Sequence, residues 1–145
     1  HLDSLDEGLL RCKNFFRPHP SLRVQADGEL ALCPLVGAAT GYGNVHRRPF
    51  VEVLNGMHEA AAYRLHAEDR IAQYLPLLDR SIFGERFTHV CSLRVVLTLL
   101  ARGVEEQGVD PHDPAALREL NEAVARQAGF MPRQGPTALG IRRPR

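Results

Sequence analysis

The chain has 145 residues, 44% of them hydrophobic and 24% charged, and its 18 basic and 17 acidic side chains leave a net charge of +1. This length and composition describe one globular domain that buries a core without disulfide staples, and the near-neutral balance supplies no basic footprint calling for nucleic acid or anionic lipid. The apolar run Val95–Ala101 falls far short of the roughly 20 residues a membrane helix needs, and no basic-then-apolar leader opens the chain, so a cytoplasmic protein is expected.

In chain order, Ser4-Leu5-Asp6-Glu7-Gly8-Leu9-Leu10-Arg11 has apolar residues at helical spacing, a serine cap and acids in the first turn, and predicts a short helix that delivers Cys12. Pro18 and Pro20 break any helix. Leu22-Arg23-Val24-Gln25-Ala26 and Glu29-Leu30-Ala31-Leu32-Cys33 both alternate apolar with polar and are joined by Asp27-Gly28, which predicts a β-hairpin with a tight turn. Leu22, Val24 and Ala26 share one face, Leu30 and Leu32 share one on the return strand, and Cys33 ends it.

Pro34 to Asn44, with Gly37, Gly41 and Gly43, reads as a loop. Gly41-Tyr42-Gly43 lacks the strand-loop-helix context of a nucleotide loop. Arg47-Arg48 reads as the solvated entrance of a helix that starts at Pro49 and carries Phe50, Val53, Leu54, Met57, Ala61 and Leu65 at spacings of three and four. A second helix is expected from about Arg70 to Leu75, interrupted at Pro76. A third starts at Cys91 or just after it, with Leu93, Val96, Leu97 and Leu100 on one stripe, and ends near Gly103 or Gly108. A last amphipathic helix runs from Asp113 to Ala128, with Pro114 at its start and Gly129 closing it. The proline-bearing tail beyond, with no acid after Glu122, is expected to be disordered. The fold class is α+β: a short hairpin followed by several helices.

Cys12, Cys33 and Cys91 are the only cysteines. Their odd number fits a reduced compartment or a metal site better than a complete disulfide framework. No two form a C-x-x-C pair, and free cysteines are often plain core residues. All three nevertheless fall at segment ends, where thiolates can converge, and a helix N-terminus favours the thiolate form that metals require.

Cys12, the hairpin Leu22 to Pro34 with its Asp27-Gly28 turn and closing Cys33, the step Gly43-Asn44-Val45 and the helical Phe50-Val51-Glu52-Val53-Leu54-Asn55 follow one another in an order that resembles the SPASM/twitch domain of radical S-adenosylmethionine enzymes. The resemblance spans Arg11 to Leu100. It implies an auxiliary [4Fe-4S] cluster held by Cys12, Cys33 and Cys91, in a domain covering residues 12–108 and followed by the helix of 109–129 and the tail of 130–145. The chain departs from the family at the downstream cysteine pair: it reads Thr88-His89-Val90-Cys91 and Cys91-Ser92-Leu93-Arg94, so one thiolate is missing. Three thiolates hold a four-iron cluster with one iron open, and His89 or His19 is the candidate fourth ligand. Arg94 has two readings: a cation that raises the potential of a neighbouring cluster, or an ordinary solvated helix arginine.

The C-x3-C-x2-C run that binds the catalytic cluster of these enzymes is absent, so the chain is not expected to cleave S-adenosylmethionine by itself. The resemblance implies that residues 1–11 lead in from an upstream catalytic barrel, which would bring S-adenosylmethionine, and that the partners are this barrel and a peptide or protein substrate of a peptide-modifying maturase. There the domain would relay electrons or position the substrate. Two alternatives stand beside it. One is a cluster-less domain of the same fold that docks a peptide or partner on its hairpin edge. The other is a structural zinc site made from the three cysteines and one histidine.

Overall fold

The computed structural model describes Leu2, Leu10 and residues 22–31, 42–84 and 87–130. Cys12, His19 and Cys33 lie outside these residues, as do the expected helix at the N-terminus and the expected disordered tail.

The hairpin forms where the alternation places it. β1 (Arg23–Val24) and β2 (Leu30–Ala31) pair antiparallel, with Arg23 opposite Ala31 and Val24 opposite Leu30. The Gln25 N–H donates to the Glu29 carbonyl, and the Gly28 N–H donates back to the Gln25 carbonyl, both at 2.9 Å. The loop is therefore Ala26-Asp27-Gly28, one residue longer than an Asp-Gly pair, a length in which the third position takes the left-handed conformation. Gly28 sits there at φ +86°, and a Cβ would lie 2.6 Å from Asn44 Oδ1 as well as striking the His46 ring. Glycine is required twice over.

Gly43-Asn44-Val45 lies along the other side of the return strand. The Leu30 N–H donates to the Gly43 carbonyl and the Val45 N–H to the Gly28 carbonyl, with Glu29 and Asn44 forming an antiparallel bridge. Leu30, Tyr42, Val53, Met57 and Ala62 make a small core beneath this arrangement. The apolar face of β1 stays open, since Leu22 and Val24 are exposed.

The single helix expected from Pro49 to Leu65 is two: α1 (Phe50–Met57) and α2 (Ala61–Ala67). Between them the Glu59 and Ala60 N–H groups reach back only three residues, to Gly56 and Met57, and Ala60 is extended. Asn55-Gly56 is a weak helical stretch, and the chain turns just after it. The α-helix expected before Pro76 is instead a 3-10 helix, Ile71–Leu77, with Pro76 inside. Proline has no N–H to give in either geometry, and its fixed φ suits the tighter helix.

A short α3 (Arg80–Phe83) follows, capped by Asp79, whose Oδ1 accepts from the Ser81 N–H at 2.9 Å. α4 (Val90–Glu105) and α5 (Pro114–Ala128) occupy the expected positions, and the Asp113 Oδ1 accepts from the Ala115 N–H at 2.9 Å. The expected α4 stripe of Leu93, Val96, Leu97 and Leu100 is buried in the main core with Leu10, Leu65, Ile71, Tyr74, Leu120 and Val124. Gly103 lets α5 approach α4 closely: a Cβ there would run into the Leu120 side chain, 2.8 Å from its Cδ2. α2 joins the two cores, with Ala62 in one and Leu65 in the other. Among the described residues no helix is long and apolar enough to cross a membrane. The architecture is α+β, a two-stranded hairpin followed by helices.

Candidate functional site

The first turn of α4 gathers the chemistry. His89 is its N-cap, and the ring Nδ1 accepts from the Cys91 N–H at 3.1 Å. A ring that accepts at Nδ1 carries its proton on Nε2, so in this arrangement His89 has no lone pair left for a metal. Cys91 is a free, half-buried thiol. Beside it a cavity of about 530 Å³ opens, where Cys91, Ser92 and Val95 of α4 meet Gln127 and Ala128 of α5 and Phe130 just beyond it.

Arg94 lies three residues on, nearly one helical turn, so its side chain stands over Cys91. It is not the solvated arginine of the simpler sequence reading: only 9% of it is exposed. Its Nε donates to the Leu10 carbonyl at 2.8 Å, and a terminal guanidinium nitrogen donates to Cys91 Sγ at 3.5 Å. One planar cation therefore holds the Cys91 sulfur and the Leu10 carbonyl together.

Behind Arg94 is a buried polar chain. Thr98 Oγ1 donates to the Arg94 carbonyl at 2.7 Å and accepts from Nε2 of His66, on α2, at 3.0 Å. Burial, and secondarily the charge of Arg94, lower the His66 pKa to about 4, so the ring is neutral at neutral pH. His66 and Thr98 escape a sequence reading because a buried polar pair 32 residues apart leaves no local pattern.

The second region of interest is the hairpin turn. Asn44 Nδ2 donates to the Asp27 carbonyl at 2.8 Å and to Glu29 Oε1 at 3.2 Å, while its Oδ1 accepts from the His46 N–H at 2.9 Å. The asparagine of the Gly43-Asn44-Val45 step thus clamps the Asp27-Gly28 turn. Arg47 and Arg48 are exposed, as expected of a solvated helix entrance.

Of the residues singled out in the sequence, the structure brings together Cys91, His89 and Arg94. Among the described residues no three His, Cys, Asp or Glu side chains gather where they could hold a metal ion, and Cys12, His19 and Cys33 are not among them. Compared with protein-family models, with curated proteins and with solved structures, the chain matches none.

Proposed function

We propose that the chain is an auxiliary iron-sulfur domain of the SPASM/twitch type, part of a radical S-adenosylmethionine enzyme that modifies peptides in the reducing cytoplasm. Cys12, Cys33 and Cys91 are its thiolate ligands. The observation that carries this reading is the double grip of Arg94, on the Leu10 carbonyl two residues before Cys12 and on the Cys91 sulfur. The cavity beside Cys91 supports it, as does the Asn44 clamp on the hairpin turn, which gives the Gly-Asn step of the family pattern a physical role.

A [4Fe-4S] cluster, when bound, supplies a one-electron relay. The chain's own contribution is to hold thiolates at fixed separation and to set their surroundings. S-adenosylmethionine belongs to an upstream barrel, and the peptide substrate is shared with it. Anaerobic reconstitution with iron and sulfide tests the reading: the expected product binds about four irons and absorbs near roughly 400 nm through thiolate-to-iron charge transfer.

The commitment of His89 to a helix cap favours a second reading, a domain that has kept the fold without the cluster and docks a peptide along β1, where Leu22 and Val24 are exposed. Colourless, iron-free protein after reconstitution, with Cys33→Ala leaving partner affinity unchanged, selects it.

A further inference from the structure

We propose that Arg47, Arg48, Phe50 and Val51 form a docking surface for an acidic peptide segment of a partner protein. Its carboxylates meet the two guanidinium groups, and one of its apolar side chains covers Phe50 and Val51. The proposal goes beyond the function above and uses none of the thiols, so it stands or falls without iron.

Phe50 and Val51 open α1 and are 46% and 64% exposed, whereas Val53 and Met57 of the same helix are buried in the small core. The helix is therefore anchored without them. Single exposed apolar residues are ordinary, but this adjacent pair follows two exposed arginines, and aromatic residues and arginine are the side chains that protein interfaces favour. Among the described residues neither Arg47 nor Arg48 takes part in an ion pair.

Their backbone is nevertheless fixed. Both N–H groups donate to the Asn44 carbonyl at 3.1 Å, and Asn44 itself clamps the hairpin turn. The Arg48 guanidinium lies over Gly43, where a Cβ would come within 2.9 Å of it. Cations carried on a fixed turn bind at a smaller ordering cost than cations on a loose one. A carboxylate is the anion whose two oxygens match the guanidinium fork. An anionic lipid surface matches less well, because Glu52 is exposed directly after Val51 and the patch is a small footprint for a bilayer.

The test is fluorescence anisotropy of a labelled peptide of alternating glutamate and leucine, titrated with the full chain. The expected result is binding that weakens as salt is raised, and that is lost when glutamine replaces glutamate in the peptide. Arg47→Glu/Arg48→Glu and Phe50→Ser/Val51→Ser, their folding checked by circular dichroism, should each weaken it by about tenfold or more. Should a double variant not fold, Arg48→Gln or Val51→Ser takes its place, with weaker binding than wild type expected. Wild-type protein that does not bind the peptide overturns the inference. So does equal binding of the glutamine peptide, or a folded variant of either pair with the wild-type affinity. Flotation of the chain with phosphatidylserine vesicles, without peptide binding, assigns the patch to a lipid surface and overturns it as well.

Discussion

The Nε of Arg94 donates to the carbonyl of Leu10 across 84 residues of chain, and both groups are buried. This bond ties the Leu10 backbone to the first turns of α4. Arg94→Ala leaves the Leu10 carbonyl buried without its donor and removes a hydrogen bond from a charged group, a loss of about 2–3 kcal/mol. Urea unfolding should show the midpoint drop with little change in slope.

His66 makes stability depend on pH in a predictable direction. Its pKa is about 4 in the folded protein against an ordinary 6.5, so between these values the unfolded chain binds a proton that the folded chain refuses. The neutral ring costs nothing above pH 6.5. Stability then falls as pH drops from 6.5 towards 4, by about 3 kcal/mol in all from this group. Comparing wild type with His66→Asn by unfolding across that range should show the difference between them shrinking, or turning in favour of the variant, as the solution is acidified. A difference that stays constant would mean His66 titrates normally.

Asn121 staples α5 to the segment that leads into α3. It is fully buried, accepts from the Asp79 N–H at 2.9 Å and donates to the Leu77 and Leu117 carbonyls at 3.0 and 2.8 Å. Asn121→Ala strands an N–H and a carbonyl between elements and should cost about 3 kcal/mol. Asn121→Asp keeps the acceptor for Asp79 but sets a carboxylate against two carbonyls, and thermal denaturation should place it below wild type at neutral pH.

Two helical glycines should respond oppositely to alanine. At Gly56 an added methyl meets open space and the backbone is not left-handed, so Gly56→Ala should stabilise by about 0.5–1 kcal/mol. At Gly103 the same methyl collides with Leu120, and overpacking outweighs the gain in helix propensity, for a net loss of about 1–2 kcal/mol. Melting temperatures of the two variants, measured side by side, give the two signs directly.

What the sequence disclosed follows from how local each signal is. Pro114 and Gly129 bracket α5 because cap chemistry is written within a few residues, and Gly28 marks the hairpin turn for the same reason. The stripe of α4 was legible from its period. The break between α1 and α2 was not, because Met57, Ala61 and Leu65 keep helical spacing across a turn that the backbone makes at 58–60. α3 carries a cap signal in Asp79-Arg80-Ser81, but its four residues are too few for a helical period to show. At the candidate site, Cys91 and His89 could be read as neighbours on a helix start. The burial of Arg94 could not, since its partner stands at the other end of the chain and only the folded core brings them together.

The most direct measurement is iron and acid-labile sulfide per chain after anaerobic reconstitution, for wild type beside Cys12→Ser, Cys33→Ser and Cys91→Ser. If these three thiolates hold a cluster, wild type carries about four irons and four sulfides, and each serine variant that still folds loses most of both. Wild-type protein without iron, or Cys91→Ser protein that keeps the full wild-type content, would contradict the central claim.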